Sequence, residues 1–137
     1  MSVLLAAATA SLAVDVVSKR LVTTHLAEGR LYGRAPAWGL RRVRSHGGGL
    51  GRVSVSLAIA LWIVAAGCVL LLMSSTPLGV VAAAGLGIAI GGATGNVAER
   101  LARGTVVDFI AAGRWPVFNL ADAAMVVGLL VAGGSVL

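Results

Sequence analysis

At 137 residues the chain is one domain by length, and 58% apolar residues beside only 12% charged ones exclude a soluble globular surface. A mean hydropathy of +0.98 places it in a membrane. The net charge of +6 raises a nucleic-acid reading, but all eleven Lys and Arg fall between Lys19 and Arg114, at loops and helix ends. Only Arg41, Arg42, Arg44 and Arg52 cluster, without interleaved aromatics, so a loop facing lipid headgroups fits them better than nucleic acid. Cys68 is the sole cysteine, which excludes an intrachain disulfide and a cysteine metal site.

Val3 to Val22 is predicted as the first span, about 30 Å long as a helix. Ser11-Leu12-Ala13 mimics a signal-peptide cleavage site, but no basic residue precedes the apolar stretch, so the span is expected to be uncleaved. Asp15 interrupts it. A charge at that depth costs about 2.5–3.5 kcal/mol and needs a partner, and Lys19 stands at i+4 on the same face. The bland alternative is that the two snorkel together to the interface.

Thr23 to Arg52 reads as a polar connection, broken by Pro36 and Gly47-Gly48-Gly49, lying in water or at the interface. His46-Gly47-Gly48-Gly49 has the look of an esterase oxyanion loop, but no Gly-x-Ser-x-Gly elbow accompanies it. His25 and His46 are read as solvated, since no carboxylate stands at ligand spacing for a metal. Trp38 suits the membrane interface.

A second span is predicted over 53–73 and a third over 77–95, joined by a short turn in which Pro77 starts the next helix. Ala83, Gly87, Gly91 and Gly95 line one face of the third span, a surface for close helix approach. Gly85-Leu86-Gly87 is no dinucleotide fingerprint, because no strand precedes it. At the end of this helix Asn96, Glu99 and Arg100 share a face; either they position a site or they form a surface ion pair worth about 0–1 kcal/mol.

Arg103 to Asp108 reads as a turn and a short extended β-branched run, tolerated at membrane depth only where its backbone is satisfied. The fourth span is predicted over 117–137, with Pro116 near its first turn, Asn119 and Asp122 on one face, and a small-residue seam of Ala124, Gly128 and Ala132. Asp108 and Asp122 can meet if the Ile110–Trp115 segment doubles back at Gly113. Two carboxylates sharing a proton can hydrolyse a peptide without a nucleophilic Ser or Cys, one activating water while the other protonates the carbonyl oxygen. Alternatively Asp108 caps a turn and Asp122 pairs with Arg100 or Arg114.

Gly91, Gly92, Gly95, Asn96 and Arg100, then Gly104 and Val106-Val107-Asp108-Phe109, resemble a signature of the lipoprotein signal peptidases (signal peptidase II). Phe118-Asn119-Leu120-Ala121-Asp122 is similar to that family's last signature, and Asp15-Val16-Val17-Ser18-Lys19 to the Asp-x-x-Ser/Thr-Lys of its first helix. The family's Asn-x-Gly-Ala-Ala-Phe-Gly stretch finds its nearest run at Gly33-Arg34-Ala35-Pro36-Ala37-Trp38-Gly39, with Gly33 for the asparagine, and Glu99 stands where the family has Asp. The chain thus resembles a short, divergent member.

The expected fold is an all-α membrane protein: four transmembrane helices, with a small irregular or β-like extramembrane connection between helices 1 and 2, in one peptidase domain over 1–137. The resemblance implies an aspartyl endopeptidase that cleaves lipid-modified prolipoproteins just before the diacylglyceryl cysteine. Asp108 and Asp122 match the catalytic pair, and Asp15, Lys19, Asn96, Glu99, Arg100 and Asn119 are substrate-binding or site-supporting residues. No metal or organic cofactor is implied, the partners are the precursor and membrane lipids, and the oligomeric state is open. The family lies in the inner membrane with its site at the outer face and both termini cytoplasmic. The positive-inside rule argues for the reverse orientation, because the basic residues flank the site side. The alternative function is a non-catalytic membrane protein binding lipoprotein precursors or lipids; a small transporter is disfavoured by the lack of an inverted pair of broken hydrophobic segments.

Overall fold

A computed structural model describes residues 1–34, 38–45, 54–75 and 78–135. The elements run α1 (Ser2–His25), β1 (Leu31–Arg34), β2 (Trp38–Ser45), α2 (Val55–Ser75), α3 (Val80–Arg103), β3 (Val106–Ala112) and α4 (Leu120–Gly134). Among the described residues three helices are long and apolar enough to cross a membrane, and α4 is a shorter apolar helix. The expected fold class is therefore observed, and the extended run expected after α3 is a strand of the same sheet as the connection between α1 and α2. Ala35, Pro36, Ala37, the His46–Gly49 run and Pro77 lie outside the described residues.

Helix α3 is the axis of the bundle, and its glycines decide what sits beside it. A Cβ at Gly87 or Gly91 would run into the backbone carbonyls of Leu4 and Ala8, so α1 lies against this face, parallel to α3 and in step four residues at a time. Around the helix, a Cβ at Gly85 would stand 2.6 Å from the Ala132 nitrogen, and one at Gly92 2.6 Å from the Ala121 oxygen. Helix α4 therefore packs there, antiparallel. The small residues of 83–95 thus serve two interfaces, where the sequence pattern suggested one face, and the seam of Ala124, Gly128 and Ala132 lies on the second. Without a hydrophobic difference between lipid and leucine, close backbone contact is what holds such helices together.

Helix α2 is peripheral. Val69 packs against Leu4 and Ala83, and the Trp62 indole donates to Thr94 Oγ1 at 3.0 Å. Its remaining leucines, among them Leu57, Leu61, Leu70 and Leu71, stay exposed, as suits a surface whose solvent is lipid.

The sheet caps the bundle at the end where α1 and α3 finish and α4 begins. It is antiparallel, in the order β1-β2-β3. Between Leu40, opposite Ile110, and Val43, opposite Asp108, β2 carries one residue more than β3, which is a bulge. Arg42 lies in it, and its Nη1 donates to the carbonyls of Thr23 (3.1 Å) and Leu26 (3.2 Å), filling acceptors that the end of α1 leaves open. Val22 closes the join beneath the sheet with Val107 and Phe109.

Several helix boundaries depart from expectation: α1 runs on to His25 instead of ending at Val22, and α3 begins at Val80, with Gly79 as its cap, instead of at 77. Helix α3 runs eight residues past 95, to Arg103, because Asn96–Arg103 contains no breaker; it stops at Gly104, whose φ of 71° is the left-handed cap conformation. Helix α4 begins at Leu120, not 117. Phe118 is held as an antiparallel bridge to Ile110, so Pro116 lies before the helix and Asn119 becomes its cap.

The packing predicts a contrast between two glycines of α4. Gly128→Ala places a methyl 2.5 Å from the Gly85 carbonyl oxygen and 2.6 Å from the Ala89 nitrogen, and is expected to cost about 1–3 kcal/mol. Gly133→Ala meets nothing within 4 Å and should be neutral or slightly stabilising. Thermal unfolding of both variants in one detergent checks this; equal midpoints would contradict the α3–α4 contact.

Candidate active site

The site begins with a buried lysine. Lys19 is 5% exposed and Asp15 1%. The ammonium donates to Asp15 Oδ2 at 2.8 Å and to Asn96 Oδ1 at 2.8 Å, and pairs with Glu99 Oε2 at 3.1 Å. One turn of α1 and one turn of α3 are thereby tied through three partners, one for each ammonium hydrogen. Gly95 makes room for it: a Cβ there would lie 2.5 Å from Asp15 Oδ2. Glu99 is also held by Arg103 Nη1 at 3.1 Å and accepts from the Val107 N–H at 3.4 Å, so the helix end is bound to β3.

The lysine fixes which way Asn96 points. Because an ammonium only donates, the amide oxygen must face Lys19, and the amide nitrogen is left to donate to Asp122 Oδ1 at 2.8 Å. Asn119 completes the link. Its Nδ2 donates to Asp108 Oδ1 (2.7 Å) and Asn96 Oδ1 (3.1 Å), while its Oδ1 accepts from the Asp122 N–H at 3.0 Å. Asp122 Oδ2 in return accepts from the Asn119 N–H at 3.1 Å, forming a capping box with Asp at the third position.

Asp108 reaches this network because the chain doubles back after β3. Gly113 turns at φ 63°, the Trp115 N–H donates to the Ala112 carbonyl, and Phe118 exchanges hydrogen bonds with Ile110. Asn119, one residue on, then faces Asp108. Asp108 is 2% exposed. Burial pushes its carboxyl above the usual carboxylate range and the nearby Asp122 charge pushes the same way; the Ser45 hydroxyl, the Asn119 amide and the Lys19 charge oppose.

Seven of the eight expected residues thus meet: Asp15, Lys19, Asn96, Glu99, Asn119, Asp108 and Asp122. Arg100 does not join them. Its Nε is buried without a hydrogen bond among the described residues, and Asp122 is met by Asn96 rather than by Arg100 or Arg114. Gly33 stands on β1, separated from Asp108 by the whole of β2. Among the described residues of that connection, Ser45 brings a hydroxyl beside the Asp108 carboxyl, and the sequence reading passed over it. A signal was present: Ser45-His46-Gly47-Gly48-Gly49-Leu50-Gly51 keeps the glycine spacing of Asn-x-Gly-Ala-Ala-Phe-Gly, with serine in the asparagine's place. Among the described residues no group of three His, Cys, Asp or Glu is placed to hold a metal ion.

The buried lysine yields a stability prediction. Lys19→Met leaves Asp15 and Glu99 without their shared cation and is expected to destabilise by about 3–5 kcal/mol. Adding Asp15→Leu should recover part of that loss, because one buried charge has gone. Thermal midpoints in detergent check it, and a double variant no better than the single one contradicts the pairing.

Comparison with known proteins follows the same lines as the geometry. The profile of signal peptidase (SPase) II matches residues 7–136. The lipoprotein signal peptidase of Rhodococcus jostii (strain RHA1) is 34% identical over 134 residues, covering 88% of this chain and 65% of its own length. That of Mycobacterium leprae (strain Br4923) is 34% identical over 139 residues, covering 93% and 68%. That of Mycolicibacterium smegmatis is 37% identical over 139 residues, covering 93% of this chain and 58% of its own length. The chain therefore spans roughly two thirds or less of these relatives. A solved bacterial membrane enzyme shares the fold with a TM-score of 0.84 at 20% identity, over 100% of this chain and 94% of the other. With a profile match over nearly its whole length and the matching fold, the chain belongs to the signal peptidase II family.

Proposed function

We propose that the chain is a single-domain intramembrane aspartyl endopeptidase that removes signal peptides from diacylglyceryl-modified prolipoproteins, cutting before the lipidated cysteine. The observation that carries this reading is the pair Asp108 and Asp122, bound to the two amides Asn119 and Asn96 at 2.7 and 2.8 Å at the sheet end of the bundle. The names of the relatives supply the substrate class.

The chemistry follows from the environment of the pair. Asp108, buried and pushed upward, is the partner that holds a proton. Asp122, half-buried at the start of α4, is the base that draws a proton from water. As water attacks, Asp108 gives its proton to the carbonyl oxygen; collapse of the resulting gem-diol then breaks the C–N bond, Asp122 passing its proton to the leaving amine and Asp108 recovering one from the diol. Asn96 and Asn119 keep the carboxyls in place, while Lys19, Asp15 and Glu99 keep Asn96 in place; these are supporting roles without contact to the substrate. Arg100 is not given a role. The membrane is the inner membrane, with the sheet and site at its outer face and both termini cytoplasmic.

Asp108→Asn and Asp122→Asn are each expected to reduce cleavage of a synthetic diacylglyceryl prolipopeptide by at least about 10²–10⁴-fold. Folding supplies the control. A carboxyl whose folded pKa is raised stabilises the fold only while protonated, and that contribution fades as pH rises through the folded value. Asp108→Asn should therefore be no less stable than wild type at neutral pH, its relative advantage shrinking on acidification. Near-normal cleavage by either variant rejects the dyad, and a well-folded wild type that cleaves nothing favours the precursor-binding alternative.

Orientation has its own test. A periplasm-dependent phosphatase fused after Leu137 is expected to be inactive, and one inserted at the sheet end active. Strong activity of the C-terminal fusion reverses the assignment and restores the positive-inside reading.

A further inference from the structure

Ser45 is the last residue of β2 and lies opposite Val106, while Val43 lies opposite Asp108. Side chains two apart on a strand share a face, so Ser45, Val43, Val106 and Asp108 all project to the same side of the sheet, and Ser45 is the diagonal neighbour of Asp108. Its Oγ is buried and has no hydrogen bond among the described residues. An unused hydroxyl away from water is costly, and the acceptor beside it is the Asp108 carboxyl. Asn119 occupies only Oδ1 of that carboxyl.

We propose that Ser45 is a positioning residue for Asp108: its hydroxyl donates to the carboxylate that forms when Asp108 releases its proton. The inference rests on the aspartyl reading above, and it adds the group that makes Asp108 a usable acid. The charges that face Asp108 are Asp122 from α4, which disfavours ionisation, and Lys19 from α1, which favours it. Glu99 from α3 is already paired with Lys19 and Arg103, and Arg44, the neighbour of Ser45, is turned outward to Glu28. Beside the Asn119 amide, which is already engaged at Oδ1, β2 thus supplies a second donor that strengthens as charge develops on Asp108. Because hydrogen bonds to charged groups are stronger than neutral ones, the effect belongs to the proton-transfer step and not to substrate binding.

The test compares wild type, Ser45→Ala and Ser45→Thr, each labelled with carboxyl-¹³C aspartate. The three aspartate signals are assigned by single Asp→Asn changes. In Ser45→Ala the Asp108 midpoint is expected to rise by about one pH unit. The high-pH limb of kcat should move up with it, and kcat at neutral pH should fall about tenfold with KM unchanged. Threonine keeps the hydroxyl, so Ser45→Thr should restore the wild-type midpoint and most of the rate. An Asp108 midpoint unmoved in Ser45→Ala, or Ala and Thr variants equally impaired, overturns the proposal. The titration needs no substrate, so a wild type that cleaves nothing while its Asp108 midpoint still responds to Ser45 rejects the peptidase reading and supports the Ser45–Asp108 pairing.

Discussion

The arrangement depends on one buried ammonium. Lys19 is buried, so each of its hydrogens needs a protein acceptor, and the acceptors it meets are on α1 and α3. That requirement forces the two helices into a fixed register at this level. It also forces Asn96 to present its oxygen, from which the direction of its NH₂ group toward Asp122 follows. A residue two helices away from the carboxyl of Asp122 thereby sets the donor that holds it. The glycine at 95 belongs to the same constraint, since any side chain there would occupy the space of the Asp15 carboxylate.

A second constraint comes from the backbone. A strand near a bilayer must have its N–H and C=O groups satisfied. Strand β3 meets this with β2 on one side and with Phe118 at Ile110 on the other. The returning Phe118 accepts from the Phe109 and Ile110 N–H groups and donates to the Ile110 carbonyl. The pairing delays the start of α4 until Asn119 and sets that residue against Asp108. Backbone satisfaction and assembly of the site are thus one event, and the carboxyls sit on a strand and a helix cap instead of a free loop. Elements of this kind hold a reacting geometry more tightly than loops do.

Much of this was legible in the residues, for identifiable reasons. Charges are rare enough in the apolar runs that Asp15, Lys19, Asp108 and Asp122 stand out, and i+4 spacing was sufficient to pair the first two. The small residues of α3 announced close packing, but not its division between α1 and α4. That division depends on a rotation of one or two residues around the helix, which periodicity does not resolve. Hydropathy misplaced the end of α3, because a helix can continue past the bilayer as far as its first breaker, Gly104. It misplaced the start of α4 because the apolar run begins before the helix does: Phe118 is held in a non-local bridge to Ile110, which keeps Pro116 and Val117 outside the helix. Arg100 shared a face with Asn96 in the sequence pattern, yet its guanidinium stays outside the network. Ser45 was passed over because the Asn-x-Gly-Ala-Ala-Phe-Gly pattern was matched at Gly33 instead, and only the strand register sets the serine on the face of Asp108.

On the proposed aspartyl reading, the distribution of cations is what would let the pair work as acid and base. Four carboxylates gather near this end of the bundle, and the cations in contact with them are spent on two: Lys19 on Asp15 and Glu99, and Arg103 on Glu99. Asp108 and Asp122 receive neutral amides instead. An arginine on Asp108 would hold it ionised and leave it no proton to give, whereas a neutral donor fixes its position and lets burial and the facing Asp122 keep the proton in place. The exclusion of Arg100 from the network is consistent with the same logic. The polar cluster therefore separates two tasks by charge: ion pairs lock the helices together, and amides orient the carboxyls without neutralising them.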